Sequence, residues 1–207
     1  RLIRAKADSL GLRCVELCFE IDDPYGDGRL PVCNLVISAG PPGGTRLWVG
    51  AHYDTRPRSD RETDPARAAL PLLGANDGAS GTAVLLHLAE LLASRPPPRG
   101  VDLLFFDAED YGREGDLQYY CLGSARLAGT WRDFGSPLAG GRPEGLILLD
   151  LVGERGLTVP MEGYSLRQAE AWTRRVFARA AALGLPAFVP APGPAVYDDH
   201  LPFLRAG

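Results

Sequence analysis

Two short runs, Leu103-Leu104-Phe105-Phe106 and Leu146-Ile147-Leu148-Leu149, are apolar at every position. A strand with apolar side chains on both faces must be covered on both faces, which calls for helices above and below a sheet. The helices are legible as well. Residues 79–93 put Leu85, Leu86, Leu88, Leu91 and Leu92 on helical spacing before Arg95-Pro96-Pro97-Pro98 ends the run. Residues 166–183 form a second amphipathic segment, closed by Gly184. Strands alternating with helices predict an α/β fold with a mostly parallel sheet.

The first fifty residues read differently. Residues 2–10 are the end of a helix stopped by Gly11, and Cys14 to Ile21 alternate with period two, as a half-buried strand does. The turn cluster Asp22-Asp23-Pro24-Tyr25-Gly26-Asp27-Gly28 then predicts that residues 32–38 return as a hairpin partner. A second turn, Gly40-Pro41-Pro42-Gly43-Gly44, leads into a third strand over residues 46–51. With no internal repeat and no linker-like stretch, residues 1–207 read as one domain.

A net charge of −4 carries no basic surplus, which argues against nucleic acid and anionic membranes as partners. No apolar run approaches the ~20 residues that a membrane helix needs. The sequence opens at Arg1 without an initiator Met, so an upstream segment such as a secretion signal has room to exist. The four cysteines, Cys14, Cys18, Cys33 and Cys121, form neither a CxxC pair nor a zinc pattern. Cys14 and Cys18 fall on one strand face, where buried packing is preferred to a disulfide.

Chemistry concentrates at the strand ends. One strand runs into Ala51-His52-Tyr53-Asp54, a second into Asp107-Ala108-Glu109-Asp110 and a third into Leu149-Asp150, while Gly74-Ala75-Asn76-Asp77-Gly78 leads straight into a helix. In open α/β sheets, sites form in the crevice beyond the carboxyl ends of the strands. Carboxylates gathered there repel one another unless a cation sits among them. Zinc accepts carboxylate oxygen together with imidazole nitrogen. Each residue also has a plainer reading: Asp77 as a cap of the following helix, His52 as a core histidine, His87 as structural, and Arg56, Arg58 and Arg61 as a solvated loop face. The convergence of several strand-end acids on one edge favours a site over separate caps.

In their order, His52-Tyr53-Asp54, Gly74 to Gly81, Phe105-Phe106-Asp107-Ala108-Glu109-Asp110, Leu149 to Gly153 and Asp198-Asp199-His200-Leu201-Pro202-Phe203-Leu204 resemble the zinc-dependent exopeptidase family. That family includes bacterial aminopeptidases and animal-type glutaminyl-peptide cyclotransferases. The resemblance implies a three-layer α/β/α sandwich with a mixed, mostly parallel central sheet. The Asp198–Arg205 segment and the stretch after the acidic pair, Tyr120 to Arg126, are similar to the cyclotransferase branch, whereas Gly74–Gly81 is closer to an aminopeptidase.

Residue by residue, the resemblance implies that Asp77 and Asp110 bind the metal, Asp110 standing where a Glu is usual. It makes Glu109 the general acid/base, with Asp150 and Asp198 as carboxylates near the substrate amine. His52 and Asp150 would serve a second metal, in the aminopeptidases only, and His200 would be structural. A cis peptide just after Asp77 is also implied. The family's third ligand, a histidine downstream of Asp-Asp-His, falls beyond Gly207, so the sequence is expected to be a fragment.

The expected activity is conversion of N-terminal glutamine to pyroglutamate with one Zn2+, acting on peptide or protein N-termini. The alternatives are an aminopeptidase with two Zn2+ and a metal-free binding module on the same fold. Location outside the cytoplasm, secreted or periplasmic, is an expectation of the resemblance alone.

Overall fold

The computed structural model describes residues 1–134 and 140–207. The chain begins with α1 (Leu2–Ser9), then β1 (Arg13–Asp22), β2 (Arg29–Ala39) and β3 (Thr45–His52). After a one-turn helix α2 (Pro65–Ala68) come α3 (Ala79–Ser94), β4 (Gly100–Phe106), α4 (Leu122–Phe134) and β5 (Arg142–Leu148). The C-terminal third holds β6 (Val159–Met161), α5 (Gly163–Gln168), α6 (Glu170–Ala182), β7 (Phe188–Pro192) and α7 (His200–Ala206).

The central sheet has the order β1-β2-β4-β3-β5, and β6 pairs with β7 in a small parallel sheet. β1/β2 and β2/β4 are antiparallel, whereas β4/β3 and β3/β5 are parallel, so the sheet is mixed with only β2 running against the rest. The predicted hairpin is present, pairing Val15 with Val36 and Phe19 with Val32.

Alternation along the strands divides the core. Leu35, Ile37, Val49, Ala51, Leu103 and Phe105 face α1 and α3, meeting Ile3, Ala7, Leu85 and Ala89. Val36, Trp48, Leu104 and Phe106 face the other way, toward Leu127 and Trp131 of α4 and Phe203 of α7. Each such fully buried side chain contributes about 1.5–3 kcal/mol. Two-sided cover is the reason the central strands are apolar throughout, and it makes the architecture a three-layer sandwich. Trp48 and Trp131 pack edge to face at 6.2 Å between centroids within this second layer.

Three details differ from the sequence reading. The segment expected as one helix over 166–183 is two helices, because Ala169 (φ −136°, ψ 42°) leaves the helical region while its carbonyl accepts from Thr173 N and Oγ1. Glu162 caps the first, accepting from the backbone N–H of Tyr164 and Ser165. The peptide after Asp77 is trans, as are all those described, and Gly78 turns the chain at φ +79° instead.

The third concerns the cysteines. Cys18 is exposed rather than packed in the core; it lies directly opposite Cys33 across the hairpin and forms a disulfide with it. Period-two spacing shows which residues share a face but not which residue of the next strand lies opposite. The bond closes a loop of sequence separation 15, for which chain entropy gives about 3 kcal/mol. Cys18→Ser is therefore expected to lower unfolding free energy by about that amount, read as a reduced urea midpoint that added reductant reproduces in the parent.

Candidate active site

The three parallel strands fix where the site lies. β3 sits between β4 and β5: the chain leaves β3 through α3 to reach one neighbour and leaves β4 through α4 to reach the other. At such a reversal the loops beyond the strand ends diverge and open a crevice. His52 ends β3, residues 107–110 follow β4, and Asp150 follows β5, all at the same carboxyl edge. Asp77 precedes α3, and Asp198 and Asp199 precede α7.

His52, 1% exposed, is the centre of the constellation. Its Nε2 lies 3.0 Å from Asp77 Oδ1 and 3.2 Å from Asp150 Oδ1, and its Nδ1 lies 3.4 Å from Asp54 Oδ1. Burial works against the charged ring, but hydrogen bonds to Asp150, Asp54 and Asp77 outweigh it and raise its proton affinity. The ligand atoms of His52, Asp77 and Asp150 all lie within 4.8 Å of one another. One imidazole nitrogen and two carboxylate oxygens form a donor set that suits zinc. Asp77 does not cap α3; the cap position is Gly78, and no side chain caps it. A Cβ on Gly78 would run into the carbonyl oxygen of Asp54, so a residue without a side chain is required at this positive φ.

The loop after β4 is held by Asp54. Its Oδ1 accepts the N–H of Glu109 and its Oδ2 that of Asp110, each at 3.1 Å. Asp107 is turned away, accepting from Cys33 N at 2.8 Å and its neighbour Ala108 N at 2.9 Å. Three non-glycine residues bordering the site adopt positive φ: Ala108 (54°), Cys121 (56°) and Leu151 (50°). Such conformations cost roughly 1–3 kcal/mol each and persist where surrounding bonds enforce them. For Ala108 and Cys121 the start of α4 supplies these bonds, with Cys121 N donating to Glu109 O and Leu122 N to Ala108 O.

Glu109 is 8% exposed, and Cys121 Sγ donates to its Oε1 at 3.4 Å. Burial, then the charges of Asp199 and Asp198, push its proton affinity up to about 10. Asp198 is pushed up to about 7 by burial and by Asp150, and Asp110 to about 6 by burial and by Asp77. Asp199 is wholly buried; its Oδ1 accepts from Ser124 Oγ, and its Oδ2 is the buried oxygen among the described residues without a hydrogen-bond partner. Burial raises it well above the carboxylate range.

Asp110, Glu109, Asp77, Asp150 and Asp198 thus meet in one electrostatic neighbourhood, though the tight His52 trio contains Asp77 and Asp150 and not Asp110. Of the remaining histidines, His87 is exposed on α3 beside Glu90, and His200 contacts Glu162 at 3.1 Å, away from a ligand role. One of the loop arginines departs from expectation: Arg56 is 14% exposed and bonded to Asp110, whereas Arg61 is 81% exposed as expected. In the sequence Asp54 stands among the strand-end acids without a role of its own, and Arg56 reads only as part of a solvated loop face.

The pattern of peptidase family M28 matches residues 34–207. The chain belongs to that family. Among similar M28-type structures is the glutaminyl cyclase of Porphyromonas gingivalis, 36% identical, TM-score 0.86, covering 99% of this chain and 70% of that one. A Zn-dependent exopeptidase from Parabacteroides distasonis is 31% identical, TM-score 0.87, with 99% and 70% covered. The glutaminyl-peptide cyclotransferase of Drosophila melanogaster is 28% identical over 203 residues, 86% of this chain and 53% of that protein. The chain thus spans about half the length of that curated M28 relative.

Proposed function

We propose that this M28 chain carries the catalytic residues of a zinc-dependent glutaminyl-peptide cyclotransferase. The observation that supports it most is Glu109, a carboxyl 8% exposed that stands beside a histidine and carboxylates able to hold a dication. In the reaction, the α-amine of an N-terminal glutamine attacks its own γ-carbonyl carbon, the new C–N bond closes the lactam, and the amide nitrogen leaves as ammonia. Attack within one molecule needs a folded substrate pose more than an activated water. Glu109 takes the proton from the attacking nitrogen and returns it to the departing one. Asp150 and Asp198, close enough for Asp150 to raise Asp198, accept hydrogen bonds from the amine and orient it. Zinc held by Asp77 and Asp110 would supply a Lewis acid toward the γ-carbonyl oxygen.

A specific observation favours the second reading, aminopeptidase action. His52, Asp77 and Asp150 already converge within 4.8 Å, as a second metal requires. The two readings separate in one assay pair. Cyclisation is expected to release ammonia from a glutaminyl peptide, with one equivalent of zinc and no hydrolysis of an aminoacyl anilide. Anilide hydrolysis with two equivalents of zinc would reverse the assignment. No described helix is long and apolar enough to cross a membrane, and the Cys18–Cys33 disulfide supports work in an oxidising compartment outside the cytoplasm.

A further inference from the structure

The loop that follows β3 was expected to be solvated, yet one of its side chains is the most densely bonded group at the rim of the site. Arg56 uses every nitrogen of its guanidinium. Nε and Nη2 fork onto the two oxygens of Asp60 at 3.0 and 3.2 Å, Nη2 also donates to Tyr120 Oη at 2.7 Å, and Nη1 donates to Asp110 Oδ1 at 2.6 Å. The guanidinium carbon lies 5.4 Å from the Tyr120 ring centre. Asp60 is itself fixed from the other side, accepting the Glu114 N–H at 2.8 Å. Arg56 and Asp110 side chains are 14% and 8% exposed, so water screens the pair poorly.

We propose that Arg56 is a positioning residue for the metal centre. It fixes the side chain of Asp110 by occupying Oδ1, so that Oδ2 is the oxygen offered to the cation. The inference rests on the reading of Asp110 as a zinc ligand. Aspartate carries its carboxylate on a single methylene, so the group has little freedom to find a metal by itself. The backbone N–H of Asp110 is held by Asp54, which fixes the main chain, and Arg56 fixes the side chain. Two points on one residue define the direction of the remaining oxygen. Partners of metal-binding carboxylates typically change metal affinity by about 10–100-fold when removed.

Lysine cannot do this work. It presents one point charge, whereas Arg56 bridges Asp60 and Asp110 with a planar fork.

The test compares zinc dissociation constants, by chelator competition, for the parent protein, Arg56→Met, Arg56→Lys, Asp110→Asn, the Arg56→Met/Asp110→Asn pair, and Arg61→Met. Arg61 pairs with Glu114 in the open and serves as the control. Affinity is expected to fall about 10–100-fold in Arg56→Met, to recover only partly in Arg56→Lys and to stay at the parent value in Arg61→Met. The double variant should bind no more weakly than Asp110→Asn alone, because Arg56 acts through Asp110. A merely structural arginine would lower the melting temperature without this non-additivity. If Asp110→Asn weakens zinc but Arg56→Met does not, or if the two losses add in full, the positioning role is overturned while the zinc assignment stands. If Asp110→Asn binds zinc as tightly as the parent, the ligand assignment is overturned, and this role with it.

Discussion

Glu109→Gln is expected to reduce turnover by about 10²–10⁴-fold, the range that a positioned general acid–base supplies, while leaving the fold and metal content unchanged. Glutamine fills the same space and keeps an acceptor oxygen for the thiol of Cys121, so packing around this buried position has no reason to change. It cannot accept and return a proton. The measurement is ammonia release under saturating glutaminyl peptide, paired with zinc content and a circular-dichroism melt. A variant that retains parental turnover removes Glu109 from the mechanism. The effect should fall on kcat, since the proton moves only as the C–N bonds exchange, and not on substrate binding.

Asp102→Ala is expected to cost about 3–5 kcal/mol, the toll of removing one partner from a buried ion pair. Arg46 and Asp102, near the starts of the neighbouring strands β3 and β4, are both 0% exposed. They bond twice, Nε to Oδ2 and Nη2 to Oδ1, each at 2.7 Å. The same carboxylate accepts Trp48 Nε1 at 3.0 Å and Ser38 Oγ. Remove it, and a buried guanidinium and a buried indole N–H are left without their carboxylate. Arg46 retains the carbonyls of Pro41, Ala39 and Val101, which satisfy donors but do not neutralise charge. Urea unfolding reads the loss as a lowered midpoint at constant m-value. The double replacement Arg46→Met/Asp102→Leu should cost less than Asp102→Ala alone, because no charge is then left unpaired. A drop below about 1 kcal/mol for Asp102→Ala would show that the pair is not desolvated as described.

Much of this was readable in advance because it depends on local pattern. The fully apolar runs at 103–106 and 146–149 predicted two-sided cover, and α3 with α4 provides it on opposite faces of the sheet. The leucine spacing placed α3 within a residue of its observed end, and the alternation from Cys14 to Ile21 gave β1 and its hairpin partner. The site was legible for the same reason. Strands that run parallel end at one edge, so acids placed immediately after them must gather there whatever the intervening loops do.

Pairing across the chain was another matter. Nothing near Cys18 points to Cys33, since that pairing depends on hairpin register. Arg46 and Asp102, separated by 56 positions, read singly as polar interruptions in β-strands, and only the parallel register of β3 and β4 brings them together. Arg56 looked like one of three loop arginines until the folded loop turned it onto Asp110, 54 residues away. The sequence by itself determined the layers and which carboxyl groups reach the rim, because periodicity and strand ends are local properties of the chain. Only the tertiary structure decided which charge meets which, because that choice depends on distances between segments that local patterns do not encode.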